Sequence, residues 1–359
     1  MTSTDRDLVR TIVRNSFWST FGSIAGPLLT LVFGGLTIRY VGIEEAGLST
    51  AIWALLAIGC QLGSLGINEA VVPALAAAIE ARDRERVRRL VGVAVCVGFV
   101  SSGFMAMTLV ACADSVIAWT KTSVPAETAR AFVILSAASA IVSALSGAMI
   151  VILRSACRYD VVTKTTLPLS VMTGTMGCVL VPMFPSLLTV ALVGIGSSLV
   201  SLPLLFAVAC RIVPETSRPR LAWSEFPMLA RTGLWFSATR LLAVMTGGVD
   251  DLMIAGTCGA AALPPWTICK RLWLTMHTFL AQHVEHLIPT LGGVHGRSQE
   301  VFDRIGAGMH WYVTVAAAAG YTCLAWAGPA IVAIVAGEAV GRLCATPLIA
   351  FSIAGAFWA

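Results

Sequence analysis

Five ionisable residues in the second half of the chain have types and spacing that could bind a charged ligand. Arg240 stands alone in an apolar stretch, Asp250 and Asp251 follow it, and Lys270 and Arg271 form a basic pair further on. Ionisable groups inside a membrane-length apolar stretch are costly, and they usually serve function. An arginine facing a water-filled path would bind an anion such as a phosphate, whose oxygens match the guanidinium fork.

Each of these residues also has a structural interpretation. Arg240 could pair with a neighbouring carboxylate, or its helix could begin later and let the side chain reach the membrane surface. Asp250 or Asp251 could face the path or its outer mouth, or the two could cap a helix end before Gly256. The basic pair could line the outer part of the path or contact headgroups of the outer leaflet.

Other reactive side chains do not form a recognisable site. His283 and His286 are three residues apart on one helical face, which would suit a metal pair or a proton relay. His277 falls on a different face and supplies no third ligand, so an interfacial role is favoured. The ten cysteines contain no C-x-x-C pair, and no nucleotide-binding glycine motif occurs. We therefore expect no metal, no cofactor and no enzymatic activity.

The elements that must position the five residues are membrane-spanning helices. The chain is 57% hydrophobic and only 12% charged, whereas soluble domains carry about 25% charged residues. A helix needs about 20 apolar residues to cross the hydrocarbon core. The sequence predicts ten spans: Phe17–Ile38, Leu48–Ile67, Leu90–Ala113, Ala131–Leu153, Leu167–Phe184, Leu187–Ala209, Leu234–Gly256, Thr267–Ile288, Gly308–Ala327 and Leu343–Ala359.

Basic residues cluster before the first span and then in every second gap between spans. These segments hold 17 of the 24 Lys and Arg residues: Arg6, Arg10, Arg14; Arg82, Arg84, Arg86, Arg88, Arg89; Arg154, Arg158, Lys164; Arg211, Arg218, Arg220, Arg231; Arg297, Arg304. Because positive loops stay cytoplasmic, the pattern predicts a multi-pass protein with a cytoplasmic N-terminus. Anionic membrane lipids account for the net charge of +5, and no nucleic acid is needed.

An internal repeat divides the chain into two related halves. Four pairs of landmarks match at an offset of 217 residues, the last two with a one-residue slip: Arg14 to Trp18 with Arg231 to Trp235, Gly42 with Gly259, Pro73 with Pro289, and Gly92 with Gly308. An even number of helices per repeat makes the repeats parallel, and such halves commonly enclose a transport path.

The predicted fold is therefore an all-α, polytopic membrane protein of two parallel-repeat helical bundles. Residues 1–210 form the first, six-helix bundle, 211–232 a cytoplasmic linker on the membrane surface, and 233–359 a second bundle of about four helices. The offset places the end of a full second bundle beyond residue 359, which predicts a truncated chain. The alternative is a genuine ten-helix protein.

Several short motifs resemble one membrane protein family. They are Arg14-Asn-Ser before a long helix, Arg39-Tyr-Val-Gly42, Gly47-Leu48, Leu65-Gly66-Ile67, Asp250-Asp251-Leu-Met-Ile-Ala-Gly256, Lys270-Arg271-Leu272 and Pro289. Together they look like a bacterial polysaccharide or O-antigen flippase of the multidrug/oligosaccharidyl-lipid/polysaccharide exporter superfamily. Pro264-Pro265-Trp266 replaces the small residue and Tyr usual before the Lys/Arg pair. Ten helices also depart from the usual twelve or fourteen.

The resemblance implies that the protein flips an undecaprenyl-diphosphate-linked oligosaccharide across the cytoplasmic (inner) membrane for surface polysaccharide biosynthesis. Its partners would be this substrate, membrane lipids and possible polysaccharide-assembly proteins. A drug exporter of the same superfamily would place a carboxylate deep in the first bundle, where none occurs. A polymerase or ligase would need a large periplasmic loop, and the longest outer gap is Asp114–Arg130. A non-transporting, truncated membrane protein remains an alternative.

Overall fold

Helices make up the regular structure of the part of the chain that can be described. The computed structural model describes Gly26 and residues 28–244, 248–285 and 299–358. Over these residues there are thirteen α-helices and two short 3-10 turns, and there is no strand. The prediction of an all-α membrane protein is confirmed.

Backbone contacts divide the chain into two units. The central unit is Tyr40–Pro264, and the terminal unit comprises the described parts of Met1–Arg39 and Pro265–Ala359. The central unit contains α2 (Ile43–Gly63), α3 (Ile67–Glu80), α4 (Arg84–Ala111), α5 (Ala113–Trp119), α6 (Ala126–Ser155), α7 (Tyr159–Met183), α8 (Leu187–Ile212), α9 (Phe226–Val244) and α10 (Asp250–Cys258). The terminal unit is built mainly from α1 (Leu28–Tyr40), α11 (Leu263–Glu285), α12 (Gln299–Ala336) and α13 (Glu338–Trp358).

Seven of the described helices are long and apolar enough to cross a membrane. They are α2, α4, α6, α7, α8, α12 and α13, and each corresponds to one predicted span. The predicted spans Phe17–Ile38 and Thr267–Ile288 extend outside the described residues. The predicted span Leu234–Gly256 is covered by α9 and α10, with residues 245–247 also outside the description. The predicted bundles over 1–210 and 233–359 and the linker over 211–232 stay a prediction.

The second predicted span is followed at once by a helix that apolar length did not reveal. α2 ends at Gly63 and α3 begins at Ile67, because Leu65 (φ 49°) and Gly66 (φ 65°) adopt left-handed backbone conformations between them. A left-handed residue interrupts a right-handed helix, and glycine adopts that conformation without steric cost. The segment Ile67–Glu80 is thus helical rather than an irregular charged loop.

The third predicted span starts earlier than its apolar residues suggest. α4 begins at Arg84, so four of the predicted loop arginines lie in its first two turns. Asp83 is the N-cap, and its side chain accepts a hydrogen bond from the backbone N–H of Arg86 at 3.0 Å. This cap explains why a charged sequence enters the helix here. A shared apolar core then joins α3, α4, α6 and α8 through buried residues such as Leu75, Leu90 and Ile152.

The terminal unit is held by close helix contacts and a small aromatic cluster. Tyr321 of α12 is only 1% exposed, and its ring lies against the backbone of Gly355 in α13. Trp273 of α11 stacks on His277, with ring centroids 5.4 Å apart. The Cys344 thiol donates to the Pro265 carbonyl at 3.4 Å. Small residues at these contacts allow α11, α12 and α13 to approach closely.

Candidate functional site

Two glycines bring the break between α2 and α3 into contact with α9. A Cβ on Gly66 would overlap the carbonyl oxygen of Gly233, and a Cβ on Gly233 would lie 2.7 Å from the carbonyl oxygen of Leu65. Only glycine permits two backbones to approach this closely. We call the contact, with the neighbouring polar residues Asn68 and Ser237, the crossing site.

The crossing site contains two buried polar atoms that lack a hydrogen-bond partner among the described residues. They are Oδ1 of Asn68, in the first turn of α3, and Oγ of Ser237 in α9. The Ser237 hydroxyl is 2.8 Å from the position that a Cβ on Gly66 would occupy. A buried polar atom without a partner costs about 1–3 kcal/mol. Native proteins keep few such atoms, and each calls for an explanation such as a water, an ion or a polar ligand.

The predicted anion-binding residue Arg240 lies on the helix that carries Ser237. Because α9 begins at Phe226 rather than near Leu234, position 240 is about 21 Å from the start of the helix. Ser237 and Arg240 are at positions i and i+3, which places them on one face of α9. The side chain of Arg240 lies outside the described residues, so its role in anion binding stays a prediction.

The predicted pair Asp250 and Asp251 lies at the start of a helix rather than before its end. Both residues are in the first turn of α10, which continues past Gly256 to Cys258. Asp251 is 6% exposed and Asp250 is half-buried, and both have interaction partners. The backbone of residues 248 and 249 is already helical, of the π type, and α10 ends at Cys258. The pair therefore does not cap a helix end before Gly256.

The predicted basic pair Lys270 and Arg271 belongs to the terminal unit. Both lie two turns inside α11, which begins at Leu263 rather than at Thr267. Lys270 is half-buried, Arg271 is exposed, and each has an interaction partner. Nη1 of Arg271 lies 3.3 Å from the position that a Cβ on Gly34 would take, so the guanidinium packs on the glycine face of α1. A helix contact thus fixes part of its position.

The histidines do not form a metal site within the described residues. The side chain of His283 and the whole of His286 lie outside the described residues. His277 instead stacks on Trp273, and its Nδ1 is 3.5 Å from the Tyr321 hydroxyl oxygen. No cluster of three potential metal ligands occurs in the part of the chain that the structure describes.

An ionic network joins the start of α4 to the segment that follows α8. We call it the arginine–linker network. Its ion pairs are Arg84–Glu215 at 3.6 Å, Arg86–Glu225 at 4.0 Å, Arg88–Glu85 at 2.9 Å, Arg89–Glu225 at 3.2 Å and Arg220–Glu85 at 3.0 Å. The backbone N–H of Arg220 also donates to the carbonyl of Arg88 at 3.0 Å. From the sequence these arginines have a role in topology only. Their carboxylate partners could not be predicted, because those of Arg89 and Arg220 lie 135 or more residues away along the chain.

A second polar contact lies at the other end of α2. Nζ of Lys121 donates to the Thr257 carbonyl at 2.9 Å, and the Ala260 N–H donates to the Thr120 carbonyl at 2.8 Å. Both Oγ and backbone N–H of Ser123 donate to Glu44, at 2.6 and 2.7 Å. These bonds attach the turn after α5 to α2 and α10. Glu44 and Ser123 carry no local motif, so their contact is not predictable from the sequence.

One exposed carboxylate outside the spans has a shifted pKa. Arg130 holds Asp114 with two hydrogen bonds, of which Nη2 to Oδ2 measures 2.7 Å. These bonds lower the pKa of Asp114 from its ordinary value. The bonded pair joins α5 to the start of α6.

A ladder of serines joins α6 and α8 inside the central unit. The Ser198 hydroxyl is 3.2 Å from that of Ser139 and 2.8 Å from that of Ser143, and Ser146 and Ser201 are 3.3 Å apart. These five hydroxyls have partners, whereas the buried Oγ of Ser136, one turn earlier, has none among the described residues. Small, mutually bonded hydroxyls are typical of helix packing in membranes.

Comparison with known proteins identifies a family and a fold. Residues 38–339 match the family model described as "Polysaccharide biosynthesis protein". No curated protein matches the chain. The family model covers well over half of the chain. The matched residues include the crossing site and all five predicted site residues.

Solved structures share the fold. An inward-facing multidrug resistance MATE family transporter of the MOP superfamily has a TM-score of 0.67 and 14% identity, covering 94% of this chain and 84% of that one. A mutant of the Vibrio cholerae MATE transporter VcmN has a TM-score of 0.63 and 16% identity, covering 97% and 81%. The bent form of VcmN has a TM-score of 0.58 and 15% identity, covering 97% and 85%. At such low identity the likeness shows the fold alone.

Proposed function

The chain belongs to the polysaccharide biosynthesis protein family, and from this premise we propose that it moves a lipid-linked oligosaccharide across the bacterial cytoplasmic membrane. It is a multi-pass membrane protein. The proposed substrate is an oligosaccharide joined to undecaprenyl diphosphate, and the movement is from the cytoplasmic to the outer leaflet. The observation that carries the proposal is the crossing site, where Asn68 of α3 and Ser237 of α9 offer buried polar atoms.

The physical problem is the polar head of the substrate. Sugar hydroxyls and phosphates lose their hydration in hydrocarbon, and the desolvation of a charge is severe. A protein removes this barrier by offering polar partners along a sheltered path while the lipid tail stays in the bilayer. Asn68 supplies an amide and Ser237 a hydroxyl, both of which can exchange hydrogen bonds with a sugar.

The phosphates need a cation, and we assign that role to Arg240. Guanidinium groups bind phosphate through two parallel hydrogen bonds, which a lysine cannot reproduce. Position 240 shares a face of α9 with Ser237, so one helix would carry both a phosphate ligand and a sugar ligand. Outward movement of negative charge is also downhill across an inside-negative membrane, by about 2.3 kcal/mol per charge per 100 mV.

The remaining predicted residues take supporting roles in this proposal. At least one of Asp250 and Asp251 would contact the sugar or the outer mouth of the path, where carboxylates can accept hydrogen bonds from hydroxyl groups. Lys270 and Arg271 would attract the diphosphate. The cytoplasmic N-terminus and association with polysaccharide-assembly proteins belong to the same proposal, and reporter fusions at the N-terminus and at position 218 would test the orientation.

A cell-based experiment tests the proposed function. In a strain whose surface polysaccharide depends on this gene, we expect deletion to remove the polysaccharide and the wild-type gene to restore it. Arg240→Ala and Arg240→Lys should each restore little, while the control variant Arg158→Ala, which removes an exposed ion pair with Asp160, should restore fully. Full restoration by a normally expressed Arg240→Ala protein would contradict the role of Arg240.

A further inference from the structure

An apolar groove runs along α4 beside the break between α2 and α3. It encloses a cavity of about 280 Å³. Its walls include Val93, Val97, Val100 and Phe104 of α4, Trp223 of the segment between α8 and α9, and Phe226 at the start of α9. The volume lies near the lower limit of small-molecule sites, about 300–1,000 Å³. An apolar space of this size on a spanning helix suits one slender hydrocarbon chain.

The open side of the groove is unusually apolar. Phe104 is 68% exposed, Val100 59% and Trp223 66%. Lipid hydrocarbon is the natural neighbour of such residues on a membrane-spanning helix. Trp223 combines an apolar ring with a polar N–H, a combination that is enriched where the hydrocarbon meets the headgroups. The position of Trp223 therefore marks one end of the groove as the headgroup end.

The arginine–linker network closes this same end. Arg89 is one helical turn before Val93, and Glu225, its ion-pair partner at 3.2 Å, directly precedes Phe226. The backbone N–H of Arg220, three residues before Trp223, donates to the Arg88 carbonyl. The charged network and the apolar groove are thus adjacent on the same side of α4.

The network carries more positive than negative charge. Five arginines and three carboxylates take part: Arg84, Arg86, Arg88, Arg89 and Arg220 with Glu85, Glu215 and Glu225. The surplus is two positive charges. Moreover, Nε of Arg88 is buried and has no hydrogen-bond partner among the residues that the structure describes. A lipid phosphodiester, with its single negative charge, would offset part of the surplus and accept hydrogen bonds from guanidinium groups.

We propose that the groove and the arginine–linker network together bind one anionic membrane phospholipid. One acyl chain fills the groove along α4, and the phosphate contacts the guanidinium surplus at its headgroup end. Charge complementarity selects an anionic lipid over a zwitterionic one. The lipid would hold the segment between α8 and α9 against α4, since it contacts both.

Native mass spectrometry of the full-length protein tests this proposal. The protein is purified from vesicles containing equal amounts of phosphatidylglycerol and phosphatidylcholine, and the lipid that remains bound is counted. We expect one phosphatidylglycerol per protein in the wild type. Val100→Trp should lower its retention about tenfold by filling the groove, whereas Met107→Trp, at an exposed α4 position outside the groove, should not.

A charge variant provides an independent arm of the test. Arg88→Gln should also lower phosphatidylglycerol retention about tenfold, while Arg158→Gln, at the start of α7, should retain it. Equal retention of the two lipids by the wild type would overturn the proposal, as would unchanged retention in Val100→Trp. Inorganic phosphate that displaced the lipid fully at millimolar concentration would show that the acyl chain contributes nothing, and would also overturn it.

Discussion

The crossing site and the serine ladder are both polar contacts between helices, yet they differ in how their hydrogen bonds are met. In the ladder, Ser198 finds partners on α6 at 2.8 and 3.2 Å. At the crossing site, Oδ1 of Asn68 and Oγ of Ser237 have none among the described residues. A satisfied contact stabilises the fold, whereas an unsatisfied one stores a free-energy cost that a ligand can relieve. The missing partners, rather than polarity itself, distinguish the crossing site from the ladder.

The largest effect should come from the glycines that create the crossing site. Gly66→Ala places a Cβ against the Gly233 carbonyl at a positive φ, so we expect destabilisation of about 2–4 kcal/mol. The melting temperature in detergent measures it. Gly103→Ala in α4 is the control, because a Cβ there meets nothing within 4 Å. Equal melting temperatures for the two variants would contradict the close backbone contact between Gly66 and Gly233.

Replacing Asn68 should separate function from stability. Asn68→Leu removes a buried polar group without a described partner, so we expect the melting temperature to stay the same or rise, by the equivalent of about 1 kcal/mol. Polysaccharide export should nevertheless fall at least about tenfold. Immunoblotting for protein level and surface polysaccharide staining measure the two quantities. If Asn68→Leu lowered the protein level and the export together, Asn68 would have a structural role instead.

The opposite behaviour is expected in the serine ladder. Ser198→Ala removes hydroxyl contacts to Ser139 and Ser143 and should destabilise the protein by about 0.6–1.7 kcal/mol, while export continues. Thermal unfolding and the same export assay provide the measurement. If Ser198→Ala lost export at an unchanged melting temperature, the serine ladder would behave as a functional site, and its contrast with the crossing site would be wrong.

The arginine–linker network should give a smaller change in stability. Glu225→Gln removes the carboxylate that pairs with Arg86 and Arg89, both 37% exposed, so we expect a loss of about 0–1 kcal/mol that shrinks in high salt. Limited proteolysis between residues 213 and 225 should become faster. Unchanged cleavage at low salt would show that the ion pairs do not hold this segment.

The smallest effect concerns pH. Arg130 lowers the pKa of the exposed Asp114 carboxyl in the folded state, so the pair stabilises the protein above the ordinary aspartate pKa of about 3.9. This stabilisation is lost as the pH falls below that value through the lower, folded pKa. Melting temperatures of the wild type and Asp114→Asn, compared from about pH 6 downward, should converge at acid pH. A constant difference would contradict this assignment.

The sequence predicted the class of fold because apolar length and the distribution of arginines are properties of local segments. Helix limits were harder to predict: the Asp83 cap extends α4 into a charged segment, and left-handed Leu65 and Gly66 separate α2 from α3. The crossing site could not be predicted, since Asn68 and Ser237 are unremarkable in sequence and the contact depends on two glycines, Gly66 and Gly233, that are far apart in the chain. The motif Leu65-Gly66-Ile67 is visible in the sequence, but the left-handed backbone of Leu65 and Gly66 is not predictable from it.

Reconstituted transport is the most direct test of the central claim that the crossing site serves a lipid-linked sugar. Vesicles containing the protein and a fluorescent oligosaccharide joined to a polyprenyl diphosphate are treated with a membrane-impermeant quencher. We predict that wild-type and Ser198→Ala protein make nearly all of the fluorophore accessible, whereas Asn68→Leu leaves about half protected, as in protein-free vesicles. Full accessibility with Asn68→Leu, or half accessibility with the wild type, would contradict the account.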